Sequence, residues 1–169
     1  MNHQDDLGAV GRAIVDGNHY LILATADGDG RPWASPVFYA SEGYTDFYWI
    51  SSPEVTHSRN LARRPQVSMV VFDSRQPPGT GRAVYMDAVA VELAGADLDR
   101  GLEVYPGPAE RGGRPMATAE LLPPNPYRLY RATVSRHWML CPRTSGPCEP
   151  HGRAFDHRTR VTLSGPPPG

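Results

Sequence analysis

Residues 47–73, FYWISSPEVTHSRNLARRPQVSMVVFD, constrain this chain more than any other run in it. Phe47, Tyr48, Trp49 and Ile50 are aromatic or β-branched, as a pleated core surface prefers, and they read as a buried strand. A short helix follows. Ser51 or Ser52 is placed to accept from the free amides of its first turn, Pro53 suits the first helical position, and Glu54 lies near the positive end of the helix dipole. Pro65 ends the helix, and Val67, Met69, Val70, Val71 and Phe72 resume a strand pattern. Folding alone leaves Ser51, Ser52, Thr56, His57, Ser58 and Arg59 unexplained. Hydroxyls, an imidazole and a guanidinium at a helix N-terminus make an anion site, because free amides and the dipole already favour negative charge there. The competing reading is a well-capped surface helix with solvated polar groups.

Strands surround this unit. Residues 8–18 read as a short helix ending near Gly17, and HYLILATA (19–26) as a buried strand. DGDG (27–30) is a hairpin signal, and RPWASPVFYA (31–40) is the return strand. Pro32 and Pro36 lack amide donors, so that strand must lie at an edge, be bulged, or face something other than a neighbouring strand. SEGYTD (41–46) is a turn, and RAVYMDAVAVEL (82–93) is the longest strand candidate before YRLYRATVSRHWMLC (127–141). Residues 96–105 have helical spacing with Leu98, Leu102 and Tyr105 on one side, 106–115 form a loop, and MATAELL is another short helix. With no internal repeat and no dividing linker, residues 1–165 read as a single domain, with a proline-rich tail at 166–169 expected to be disordered. Many strands and few, short helices favour a closed or partly closed antiparallel barrel.

Composition excludes several chemistries. A chain of 169 residues is long enough to bury a proper core, and its formal net charge of −1 makes no strong claim on nucleic acid or an anionic membrane. All its basic residues are arginine. Without lysine there is no Schiff base and no Walker-type phosphate loop, so phosphates must be held by arginine, hydroxyls, histidine or backbone amides. The polar, acidic first eighteen residues and the lack of a long apolar stretch lead to the expectation of a cytoplasmic protein. Cys141 and Cys148, with His151 and His157 nearby, raise the alternative of a metal site. Their spacing matches none of the usual short zinc-ligand pairs and proline and glycine dominate the loop between them, so free thiols with no bound metal are expected.

In order and spacing, LILATADGDGRPWASPVFYA, DFYWISSPEVTHSRNLARRPQVSMVVFD, RAVYMDAVAVEL and YRLYRATVSRHWML resemble the pyridoxamine 5′-phosphate oxidase-like family, across roughly residues 10–141. The segment HSRNLARRPQVS is the most specific match: a basic residue, two spaces, Asn-Leu, then proline before a strand. The resemblance implies a mainly β fold, a six-stranded antiparallel split barrel of Greek-key type, and a homodimer with FMN between subunits. It implies that Ser35, Pro36, Val37 and Phe38 line the flavin ring and that Ile50 and Ser51 lie beside it. Thr56 and His57 stand at the positions that hold the FMN phosphate, Arg59 lies one helical step further, and Trp138 matches a tryptophan that packs near the flavin, usually from the second subunit.

Departures bear on activity. The phosphate positions, typically arginine and lysine in the oxidases proper, are threonine and histidine here. Ala40 and Ala83 replace a usual lysine and glutamine, and LEVYPGPAERGGRP carries no equivalent of the clamp on the substrate phosphate. The family's Arg-x-His is likewise missing at its expected distance from Trp138. An FMN-dependent oxidoreductase acting on a small molecule other than pyridoxamine phosphate is therefore the leading expectation, with Tyr85, Asp87, Tyr105 and Arg111 as candidate substrate contacts. The alternatives are a deazaflavin-dependent reductase and a non-catalytic flavin or haem binder with His57, His137 or His151 on the iron.

Overall fold

The computed structural model describes residues 3–141, 146–148 and 151–163, without the side chains of 3–6; the tail expected at 166–169 lies outside them. Its strands are β1 (Tyr20–Ala26), β2 (Pro32–Phe38), β3 (Ala40–Glu42), β4 (Asp46–Ser51), β5 (Gln66–Phe72), β6 (Ala83–Glu92), β7 (Arg128–Leu140) and β8 (Arg158–Val161). The helices are α1 (His3–Gly17), α2 (Thr56–Leu61) and α3 (Gly95–Val104), with short 3₁₀ turns at Ala109–Arg111 and Thr118–Leu121. The sheet runs β2-β1-β5-β6-β7-β4-β3, with β8 also pairing β7 and every pairing antiparallel. Its two edge strands, β2 and β3, are separated in sequence by Tyr39 alone, so the sheet must curl back on itself into a split barrel.

The extra strands relative to the expected six are β3 and β8, of three and four residues. The turn expected at 41–46 is shorter than foreseen because Ser41 and Glu42 pair with Phe47 and Asp46. At the DGDG turn, Asp27 Oδ1 accepts from the amides of Asp29 and Arg31, and Gly30 takes φ +86°, a conformation open to glycine at little cost. Tyr39 buries its ring at the edge-to-edge corner and donates to Val15 O at 2.5 Å, tying α1 to the closure. Burial pushes its hydroxyl up to about 12, so it remains a donor at any ordinary pH.

β4 is buried on both faces, which explains its unbroken aromatic run. Phe47 and Trp49 join the barrel core with Leu21, Leu23, Met69, Val71, Val84, Met86 and Met139. Tyr48 faces a smaller cluster with Leu93, Leu98, Leu121 and Leu129, which α3 covers. Each such side chain contributes about 1.5–3 kcal/mol through burial. Gly11 lets α1 lie against the sheet: a Cβ there would meet Leu163 Cδ2 at 2.7 Å and Met139 Sδ at 3.2 Å. No helix among the described residues is long and apolar enough to cross a membrane.

Candidate functional site

The helix after β4 begins later than its capping signals imply. Ser51 completes β4, and Ser52 Oγ accepts from the Glu54 amide at 3.2 Å, turning the chain before α2 starts at Thr56. Val55 is the N-cap and makes no side-chain cap. His57 is therefore buried beneath the helix start. Its Nδ1 lies 3.1 Å from Ser35 Oγ and its Nε2 2.8 Å from Ser51 Oγ, bridging β2 and β4. Trp33 Nε1 donates to Ser35 Oγ at 2.9 Å, and Asn60 Nδ2 to Thr25 Oγ1 at 3.0 Å, extending the network to β1. The sequence reading nominated Ser35, Ser51 and His57 but missed Trp33, Thr25 and Asn60, because nothing local signals a network assembled from three strands.

Burial lowers the His57 imidazole below its ordinary 6.5, so it is neutral near pH 7, with one ring nitrogen donating and the other accepting. A phosphate at α2 would thus meet Thr56, which is half-buried, and the exposed Arg59 rather than a cationic histidine. His137 behaves alike: burial lowers it, and its Nε2–H donates to Tyr44 O at 2.8 Å. Both groups bind protons more readily in the unfolded chain, so their effect on stability is absent above about pH 6.5. Stability should then fall as pH drops below 6.5 toward the lowered values. Urea midpoints measured at descending pH should show this loss. His137→Gln should flatten part of it, and an unchanged profile in that variant would remove His137 from the account.

A second group of candidates lies on the outer face of the sheet. Pro36, Ile22, Val70, Tyr85, Trp138 and Arg160 are successive Cα partners, forming one row across six strands. Their neighbours in sequence, among them Leu21, Leu23, Met69, Val71, Val84, Met86 and Met139, point into the core. Asp87 pairs with Arg136 at 2.8 Å, and that guanidinium lies 5.3 Å from the Trp138 ring centroid. Arg158 of β8 sits 3.6 Å above Tyr85. Beside the row is a shallow depression of about 350 Å³ lined by Val70, Phe72, Tyr85 and Leu140. Of the three arrangements its prolines allow, β2 takes the edge, pairing among the described strands with β1 alone.

The remaining candidates part from these two groups. Val37 alternates inward to the core, and Ile50 packs into the cluster covered by α3, so neither reaches the outer row. Phe38 meets Tyr105 edge-on at 6.1 Å. Arg111 donates to the carbonyls of Asp16, Asn18 and Tyr39 and lies 4.9 Å from the Tyr39 ring centroid. It binds the 106–115 loop to the barrel corner instead of reaching toward a ligand. Arg114 is likewise paired with Glu120 at 2.8 Å.

The sequence from residue 9 to residue 141 matches the family model described as pyridoxamine 5′-phosphate oxidase. The chain belongs to this family. Among solved structures, a haem-binding protein from Mycobacterium smegmatis superposes with a TM-score of 0.66 at 21% identity, over 95% of this chain and 59% of that one. HutZ, the haem storage protein from Vibrio cholerae, gives 0.61 at 22% identity, over 80% and 92% of the two chains. An FAD-binding protein from Mesorhizobium loti gives 0.58 at 21% identity, over 78% and 91%. At such identities these likenesses show the shared fold of the oxidase family. No curated protein matches the sequence.

Proposed function

We propose that this member of the pyridoxamine 5′-phosphate oxidase family is an FMN-binding oxidoreductase, a homodimer holding the flavin between subunits, whose substrate is a small molecule other than pyridoxamine phosphate. The observation that carries the reading is the row Pro36–Ile22–Val70–Tyr85–Trp138, which brings the edge strand and the tryptophan onto one outer face. Adjacent residues of β2 serve both groups: Pro36 stands in the row, while Ser35 is bonded to His57 beneath α2. The residues fit the cofactor. Pro32 and Pro36 remove two amides from the open edge of β2, and Thr56 and Arg59 supply a hydroxyl and a guanidinium for the phosphate. Bound there, the flavin supplies the redox chemistry, and the protein orients it and excludes water.

The same outer surface supports a dimer. Tyr20, Phe72, Val89 and Val91 are 61%, 44%, 49% and 42% exposed, a run of apolar surface that a partner can cover. A haem reading is less favoured than the flavin reading. His57 engages both ring nitrogens within the fold, His137 is partly buried with its Nε2 on Tyr44 O, and His151 sits among Cys148, His157 and Thr159. A deazaflavin would use the same groove, and the absorption spectrum of the purified protein separates the three. A band near ~450 nm identifies flavin, one near ~420 nm deazaflavin, and a sharp Soret band haem.

Pyridoxamine 5′-phosphate should not be turned over. Phosphate recognition rests on charge-assisted, preferably bidentate arginine, and the two arginines of the 106–115 loop are engaged elsewhere. Hydrogen peroxide release from FMN-loaded protein should match a control lacking substrate. Turnover near about 1 per second would place the chain among the vitamin B6 oxidases instead.

A further inference from the structure

Cys141, Cys148, His151 and His157 are scattered over the end of β7, the following loop and the approach to β8, yet their ligand atoms all lie within 4.8 Å of one another. Cys141 Sγ is 3.3 Å from Cys148 Sγ and 3.7 Å from His151 Nδ1. Cys148 Sγ is 3.4 Å from His151 Nδ1, which is 3.1 Å from His157 Nε2. A tetrahedral zinc with the usual bond lengths to sulfur and nitrogen has ligand–ligand edges of about 3.8 Å between sulfurs, about 3.6 Å between sulfur and nitrogen and about 3.3 Å between nitrogens. Each observed edge falls within about half an ångström of its counterpart. Both cysteines and His157 are buried, while His151 reaches the surface.

The groups around the four are those that aim ligands at a metal. His157 Nδ1–H donates to Phe155 O at 2.9 Å, which leaves the Nε2 lone pair directed at the cluster. On His151, Nε2 meets Thr159 Oγ1 at 3.3 Å and leaves Nδ1 facing the sulfurs. The backbone builds the corner: the amides of His151 and Gly152 both donate to Cys148 O, and Gly152 takes φ +62°. The Cys141 amide donates to His157 O, bringing first and last ligands together.

We propose that these four side chains form a structural zinc site that fastens the segment between β7 and β8 to the barrel. Two thiolates and two imidazoles suit a borderline-soft cation such as zinc, and four protein ligands close the coordination sphere, leaving no position for a reactant. The site is distinct from the outer-face row and independent of the flavin reading. Its mechanical consequence is local. β8 carries Arg158 over Tyr85, and Thr162 and Leu163 follow it against Gly8 and Gly11 of α1, so a clamp at this corner holds three elements in register.

The expectation that these cysteines are free loop thiols rested on the Cys–Cys spacing. The informative pair was Cys148-x-x-His151, a short ligand spacing, with Cys141 and His157 supplied by the β7–β8 pairing.

The test is elemental analysis of the full chain, purified under reducing conditions from zinc-supplemented cells, alongside Cys148→Ser, His157→Ala and His57→Ala. The wild type should carry about one zinc per chain. Cys148→Ser and His157→Ala should lose most of it, and His57→Ala should retain it. Cobalt exchanged into the wild type should give the intense visible bands of a tetrahedral thiolate site, a readout that needs no variant to fold. A reduced wild type that stays metal-free in excess zinc and cobalt overturns the proposal, whether or not a Cys141–Cys148 disulfide is then found. Full zinc content in both ligand variants would overturn it equally.

Discussion

Replacing His57 with alanine should lower the unfolding free energy by about 2–4 kcal/mol, a loss set by the cavity left and by hydroxyls stripped of partners. The imidazole bridges Ser35 of β2 to Ser51 of β4 beneath α2, so its removal unlinks the edge strand from the strand across the closure at this point. Ser35 would keep Trp33 Nε1 as a donor, while Ser51 would lose its contact with the ring. His57→Gln reaches one serine and should recover part of the loss. Urea unfolding at pH 7.5 checks this, with imidazole neutral in both states so that no charge effect intrudes. A midpoint unchanged in His57→Ala would mean that the bridge carries no weight in the fold. FMN affinity should fall in the same variant because Ser35 and Ser51 lose the imidazole between them, and it should do so without the steep pH dependence of a cationic phosphate ligand.

Phe72→Arg should break the dimer. Phe72 ends β5 beside the outer row, partly exposed, on the rim of the depression shared with Val70 and Tyr85. A dimer covering this face should bury more than ~2,000 Å² in total. An arginine at a desolvated aromatic anchor costs at least about 2 kcal/mol, or roughly 30-fold in dissociation constant, before any repulsion from Arg158 above Tyr85 is added. Sedimentation equilibrium should show wild-type dimer at micromolar concentration and a shift toward monomer in the variant. Cofactor affinity should fall with dimerisation if the flavin lies between subunits. A wild-type monomer at that concentration, or a variant as dimeric as the wild type, would remove the interface from this face.

The barrel was readable where local chemistry and global packing agree. The unbroken aromatic run of β4 signals burial on two sides, and the structure supplies a core for each. Pro32 and Pro36 called for an edge, a bulge or a side facing something other than a strand, and β2 is an edge. β3 and β8, of three and four residues, are too short to show a period of two, although each pairs with a strand next to it in sequence. The start of α2 was misplaced because Ser52, Pro53 and Glu54 also suit a turn, and the turn won. Arg111 looked available in sequence because the carbonyls that hold it, from Asp16, Asn18 and Tyr39, are far away along the chain. The four members of the cysteine–histidine cluster were visible as neighbours in sequence, but the Cys141–Cys148 spacing argued against a site, because a hairpin and not a motif brings them together.

Titrating FMN with the cofactor-stripped chain, and following quenching of the free flavin's fluorescence, tests the central assignment most directly. The expected result is saturable quenching at one FMN per chain with a dissociation constant of about 1 μM or below, weakened at least about tenfold in Trp138→Ala. No quenching at protein concentrations up to about 100 μM, where even a weak site would fill, would contradict it.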